Sequence, residues 1–247
     1  MPRQTENQSG YPQNRLLAAL PQADFERISR HMETLHLEMK HMAYEPNKPI
    51  EYAYFPLTGV ASLVTVMEDG SAVEVATIGN EGMVGLPLFL GVDQTAGHAF
   101  TQVPGDSIRI KAHAFRQEIR RSGQLAKMMQ LYTQALMVQI SQGMACNGTH
   151  SLRQRCARWL LMTHDRVASD RFPLSQEFLA QMLGVRRAAV SKVASGFQAE
   201  GIIRYSRGII QFVNREELEA ISCECYEVIQ NEFARLLGAP RKQHTAE

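Results

Sequence analysis

The chain has 247 residues, is 45% hydrophobic and 21% charged, and carries a formal net charge of +1. That length is enough for two domains with real cores, and the absence of any apolar run of membrane-span length excludes a transmembrane helix, as the N-terminal composition excludes a signal peptide. Four cysteines in such a chain exclude a disulfide framework and point to a reducing, cytoplasmic setting.

The small net charge hides a gradient. Residues 1–121 hold 11 Lys/Arg against 14 Asp/Glu, residues 151–215 hold 11 against 4, and residues 216–247 hold 3 against 7. A segment of net +7 between two acidic ones is where a phosphate backbone would be met. Among the cysteines, Cys223-Glu224-Cys225 has poor spacing for structural zinc, and no second pair matches it. Cys146, Cys156, Cys223 and Cys225 therefore read as free thiols, with neither a metal nor another cofactor expected.

In chain order, residues 1–13 read as a disordered tail. Residues 14–34 read as helical, with Leu16, Leu17, Leu20, Phe25, Ile28 and Met32 on an interrupted apolar face. From Leu35 to about Lys111 the period changes to two. Leu35, Leu37, Met39 and His41 alternate with polar residues, and strands are expected over 50–55, 59–67, 72–78, 98–103 and 107–111. Glu68-Asp69-Gly70 and Pro104-Gly105-Asp106 read as turns, so the segment predicts a small antiparallel barrel or roll.

Residues 112–121 predict a short helix, and residues 123–146 a long one. On it Leu125, Met129, Tyr132, Leu136, Gln139 and Gly143 recur at near-heptad spacing, with Met128, Leu131, Met137 and Ile140 as a second apolar flank. One flank is expected to pack on the barrel and the other, the near-heptad series Leu125, Met129, Tyr132 and Leu136, on a second copy of the chain; a helix wholly buried in one domain is the alternative. Asn147-Gly148-Thr149-His150 reads as a break and hinge. Ser151-Leu152-Arg153-Gln154 is a capping-box pattern opening a helix to about Val167.

Residues 174–203 predict a helix-turn-helix. Ala180 is small where two helices cross, and Gly184 suits the left-handed turn that ends the first. Leu179, Leu183, Val185, Val190 and Val193 supply the seam, while Arg186, Arg187, Ser191 and Lys192 lie on the outer face of the second helix. Two β-rich runs around Ser206-Arg207-Gly208 then predict a hairpin wing with Arg207 at its tip. Asn214-Arg215-Glu216-Glu217 is a second capping-box pattern, opening one acidic amphipathic helix through about Leu237.

Barrel, long helix, hinge and winged helix-turn-helix in this order resemble the Crp-Fnr superfamily of bacterial transcription regulators. The resemblance covers 14–213 and rests also on Tyr54-Phe55-Pro56-Leu57-Thr58-Gly59-Val60 and on Gly79-Asn80-Glu81-Gly82-Met83-Val84-Gly85. It implies an α+β chain: a cyclic-nucleotide-binding-like sensor roll over 14–121, a dimerisation helix and hinge over 122–148, and a winged helix-turn-helix domain with a C-terminal helix over 149–247. It further implies a dimeric, sequence-specific, non-enzymatic regulator whose partners are double-stranded DNA, a second copy of the chain and RNA polymerase. Base-facing roles fall on Arg186, Arg187, Ala188, Ser191 and Lys192. Ser175 and Gln176 open the first helix, where a phosphate can be held, and Arg207 suits another. Ala188-Ala189 replaces the Glu that many members carry after the first base-reading position, so the operator is expected to differ.

The effector pocket implied by the resemblance involves Gly82, Gly85, Leu86 and Ser141, and it departs from nucleotide-binding members. Leu86 stands where they have a ribose-binding Glu, and no arginine lies between Gly79 and Ile108 to meet the phosphate. A buried phosphate without a cation is costly, so cyclic AMP is not expected and the effector is not named by the sequence. An iron–sulfur sensor of the Fnr type is disfavoured because no cysteine precedes Cys146. Two rivals stand beside this reading: a cyclic-nucleotide-responsive regulator with substituted contacts, and a metal-dependent cupin-like enzyme, for which the roll offers His41 and His98 without a His-x-His pattern.

Overall fold

The computed structural model describes residues 13–167 and 169–238. The reading of 1–13 as a disordered tail lies outside these residues apart from Gln13. Helices α1 (Arg15–Ala18) and α2 (Gln22–Ser29) open the chain. The single helix expected over 14–34 is divided at Pro21, which stands at the N-cap of α2 and has no N–H with which to continue a helix. Asn14 is fully buried. Its side chain caps α1 by accepting from the amides of Leu16 and Leu17, and its own amide donates to the carbonyls of Pro56 (3.0 Å) and Gly82 (2.9 Å).

Seven strands and a short helix follow: β1 (Glu33–Leu37), β2 (Met42–Tyr44), β3 (Tyr52–Pro56), β4 (Val60–Val66), β5 (Ala72–Ile78), α3 (Leu86–Phe89), β6 (His98–Val103) and β7 (Gly105–Lys111). They form two antiparallel sheets, ordered β1-β7-β3 and β2-β6-β4-β5. The alternation from Leu35 to His41 is not one strand, since the chain turns at Lys40 (φ 66°) between β1 and β2. Pro104-Gly105-Asp106 is likewise not a turn. Gly105 already pairs with Leu37 in β7, and Pro104 alone carries the chain from one sheet to the other.

The C-terminal half contains α4 (Ala112–Arg121), α5 (Gly123–Thr149), α6 (Leu152–His164), β8 (Arg171–Pro173), α7 (Gln176–Leu183), α8 (Arg187–Ala199), β9 (Ile203–Ser206), β10 (Ile209–Phe212), α9 (Arg215–Ile221) and α10 (Cys225–Leu237). Helix α5 runs through the expected break at Asn147-Gly148, its last turn held by the Thr149 hydroxyl on the Ala145 carbonyl (2.8 Å). Ser151 and Gln154 make the reciprocal capping box that starts α6. The one acidic helix expected through Leu237 is two, because the chain extends at Ser222 and turns Cys223 inward before α10 begins.

The sheet β2-β6-β4-β5 is covered on both faces. Ala61, Ala76 and Ala99 join the core of the roll with Phe55, Ile110 and Phe115, while Val60, Val64, Phe100 and Val103 join a second core with Trp159, Leu160, Leu179 and Leu183. Between these apolar residues a polar row crosses the second face. The Ser62 hydroxyl lies 2.6 Å from Glu74 Oε2 and 2.8 Å from Gln102 Oε1, Gln102 donates to Thr163 Oγ1 (3.2 Å), and the Trp159 indole donates to Glu74 (2.7 Å). Helix α10 folds back on α5, burying Cys225, Ile229 and Phe233.

The Arg166–Glu81 ion pair (2.8 Å) ties the end of α6 to the segment before α3, with side chains only 5% and 8% exposed. Arg166 also donates to the Met162 carbonyl (2.5 Å) and reaches Gln139 Oε1 (3.5 Å), while Glu81 accepts from the Gly79 amide (3.1 Å). Removing one partner leaves a buried charge alone, so Arg166→Ala is expected to lower unfolding stability by about 3–5 kcal/mol in urea denaturation. The double variant Glu81→Gln/Arg166→Met should recover most of that loss. Equal losses in the single and double variants would place the effect in packing, not charge.

Candidate nucleic-acid interface and effector element

Helix α7 begins at Ser175, whose side chain caps it by accepting from the Phe178 amide (3.0 Å), and ends at Gly184 with φ 63° and ψ 40°. A side chain at Gly184 would be strained in that conformation and would sit 3.3 Å from Val73 of β5. Leu179, Ala180, Leu183 and Val190 are buried between α7 and α8, with Val185 and Val193 half-buried beside them. The turn of the motif therefore rests on the roll.

Arg186 stands at the N-cap of α8, and Arg187, Ala188 and Lys192 follow it, all four exposed. Ser191 is half-buried and its hydroxyl donates to Gln176 Oε1, so these two residues lock the second helix to the start of the first. Arg187 Nε lies 3.8 Å from Glu177 Oε2, with both side chains more than two-thirds exposed (67% and 74%). Such a pair contributes little and yields readily to a phosphate or a base edge.

The wing is the hairpin β9–β10, closed by Arg207 (φ 50°) and Gly208 (φ 76°) between the paired residues Ser206 and Ile209. Two successive positive φ angles make the tight turn that suits a right-twisted hairpin, and they put exposed Arg207 at its tip. The third strand, β8, did not show in the sequence. It pairs Arg171 with Gln211, which also pairs with Arg204, so an exposed Arg171–Gln211–Arg204 row crosses the wing sheet. Three residues, one of them proline, are too short a run to signal a strand, and the row was missed with it.

The segment expected to line an effector pocket is a tight buried loop. Gly82, Met83, Val84 and Gly85 are buried, and Val84 bridges Tyr54 of β3. Gly85 has φ 102° and caps α3, which starts at half-buried Leu86. Beneath it stands Tyr132 of α5, fully buried, its hydroxyl donating to the Met83 carbonyl (2.9 Å). A Cβ at Gly82 would fall 2.5 Å from the Tyr132 ring. Arg166 reaches this segment from the end of α6 and is engaged by Glu81, and Arg15 of α1 lies beside the same two residues.

Ser141 does not join Gly82, Gly85 and Leu86. It is exposed on the face of α5 that also carries Met137 and Met144. The near-heptad series is corrected in the same way: Leu125, Met129, Tyr132 and Leu136 are all buried within their own domain, Leu136 at 3% exposure. Periodicity identified the stripe, but the roll covers it.

A cleft between β5, α5 and α6 is lined by Glu74, Gln139, Arg158 and Trp159 among others and touches none of the expected effector residues. Glu74 retains some exposure, yet burial pushes its carboxyl up to about 7, against the opposing pull of hydrogen bonds from Ser62 and Trp159 and the charges of Arg158 and Arg166. All four cysteines are free thiols, as expected, but three of them are not isolated. Cys146, Cys223 and Cys225 converge with His150, which is the metal-ligating type of cluster found among the described residues, and it lies outside the roll. Cys156 stands apart from it. Among the described residues no helix is long and apolar enough to cross a membrane.

Residues 154–221 match the family of Crp-like helix-turn-helix domains, and residues 34–122 match the cyclic nucleotide-binding domain. Among solved structures the chain is similar to FixK2 from Bradyrhizobium japonicum, with 19% identity, 78% of this chain and 98% of that chain covered, and a TM-score of 0.66. It is also similar to TTHB099, a CRP-family transcriptional regulator from Thermus thermophilus, with 19% identity, 76% and 96% covered, and a TM-score of 0.63. The global regulator CLP of Xanthomonas campestris, described as responsive to c-di-GMP, gives 16% identity, 78% and 99% covered, and a TM-score of 0.61. At such identities the likeness speaks for the fold alone. No curated protein matches by sequence. With these two domain families in this order over more than half its length, and with this fold, the chain belongs to the Crp-Fnr superfamily of transcriptional regulators, a helix-turn-helix DNA-binding domain behind a cyclic-nucleotide-binding-like one.

Proposed function

We propose that the chain acts in the cytoplasm as a homodimeric, sequence-specific DNA-binding regulator without catalytic activity and not under the control of cyclic AMP. Its parts are a sensor over 14–121, a dimerisation helix over 122–148 and a DNA-binding region from 149 onward, with RNA polymerase as the further partner. The observation that carries the reading is the start of α8, where Arg186, Arg187, Ala188 and, one turn on, Lys192 are exposed together on a helix locked to α7. That is the geometry of a helix that enters a major groove.

An unbiased selection should return a near-palindromic site with half-sites about one helical turn apart. Arg187→Ala should cost about 1–3 kcal/mol at that site and relax the base preference. Arg207→Ala should weaken all sequences alike and flatten the salt dependence. Equal loss on random DNA for Arg187→Ala would make it a phosphate contact instead.

Dimerisation is assigned to the outward face of α5, where Met137 is 57% and Met144 71% exposed. A charge at buried Leu136 would damage the roll itself. Met137→Glu should instead give folded monomers in sedimentation, with operator affinity sharply reduced. A Met137→Glu protein that stays dimeric would move the interface elsewhere.

The case against cyclic AMP rests on Leu86, on the commitment of Arg166 to Glu81, and on Tyr132 packed under Gly82. Two absent charge-assisted contacts, each about 1.5–3 kcal/mol, take a micromolar ligand to roughly millimolar. Calorimetry should detect no micromolar binding, and added cyclic AMP should leave operator affinity unchanged. A tenfold gain in affinity would overturn the assignment.

A further inference from the structure

Cys146 and His150 sit one helical turn apart at the C-terminal end of α5, and Cys223 and Cys225 flank the start of α10. Their donor atoms all lie within 4.8 Å of one another. Cys146 Sγ is 3.5 Å from Cys223 Sγ, and Cys225 Sγ is 3.5 Å from His150 Nδ1. A tetrahedral zinc with Zn–S of about 2.3 Å and Zn–N of about 2.0 Å has edges of roughly 3.5–3.8 Å. The four groups need only small side-chain adjustments to reach it. We propose that Cys146, His150, Cys223 and Cys225 bind one Zn2+ ion through three thiolates and one imidazole.

The surroundings match a metal site. His150 turns Nδ1 toward the sulfurs and its other nitrogen, Nε2, toward Glu224 Oε2 at 3.2 Å. A carboxylate behind a ligating histidine fixes the ring orientation and raises its basicity. Gln142, one turn before Cys146, donates its amide to Cys225 Sγ at 3.3 Å, a bond that a thiolate strengthens. The three cysteines are buried together and His150 is half-buried, so the ion would be closed off from water, as a structural zinc is.

The position gives the site a consequence. His150 immediately precedes the cap of α6, and Cys223 follows α9, so the ligands bracket the DNA-binding region at both ends. A bound ion would pin both ends to the last turn of α5 and hold α10 along that helix.

The test uses the full chain, reduced and handled without oxygen, with metal ions alone as probes. One zinc per chain is expected by metal analysis. Cobalt(II) should give the intense visible bands of a tetrahedral site and a sulfur-to-cobalt charge-transfer band. Cys223→Ser/Cys225→Ser should abolish both signals, and Cys156→Ser should leave them intact. Because the double variant removes two buried side chains, Glu224→Gln supplies the gentler check. It should stay folded by circular dichroism and bind about 10–100-fold more weakly in chelator competition. Several results would overturn the proposal: no stoichiometric metal in folded, reduced protein, a weak octahedral cobalt spectrum, several irons with sulfide per chain, or equal loss in Cys156→Ser.

Discussion

Arg166 and Glu81 meet where three parts of the molecule converge. Glu81 belongs to the loop that leads into α3, Arg166 to the end of α6, and Gln139 of α5 touches the same guanidinium. Two charges held this far from water persist only because each has further partners: the Met162 carbonyl for the arginine and the Gly79 amide for the carboxylate. The pair adds little to net stability over an apolar substitute, but it has few alternative geometries. The pair thus ties the loop, the long helix and the DNA-binding region together in this arrangement, and a shift of one against the others would strand a charge.

The double-faced sheet supplies the area that this pair orients. Val60, Val64, Phe100 and Val103 would form an exposed apolar patch if α6 and α7 were absent. The row from Trp159 through Glu74, Ser62 and Gln102 to Thr163 then sets the register of the contact, because each polar group finds its partner in one alignment only. Apolar area drives the association and the polar row specifies it.

The helix-turn-helix was legible because its signals are local. Ala180, Gly184 and the seam lie within some fifteen residues, and each has a stereochemical reason of its own. Strands β4 to β6 were legible for the same reason, by alternation and by the turn at Gly70. What failed was whatever depended on a distant partner. The apolar stripe of α5 shows that something covers it but not what; the roll does, and Ser141 consequently faces outward. Cys223 and Cys225 read as a pair without a match because their partners, Cys146 and His150, lie about seventy-five residues earlier. Of the two misplaced helix boundaries, Pro21 is a local breaker that the apolar periodicity masked, whereas the one at Ser222 follows from the burial of Cys223, a tertiary demand that periodicity does not carry.

The chain has a single tryptophan, and it lies in the contact between the roll and the DNA-binding region, 4% exposed, its indole N–H bonded to a carboxylate of the opposite side. Indole emission shifts to longer wavelength when the ring enters water, and a nearby carboxylate changes its quantum yield with protonation state. All of the indole fluorescence in this protein thus originates at one junction. Its colour and intensity form a built-in optical gauge of whether the two halves are closed on each other, with no label to attach and no second tryptophan to subtract.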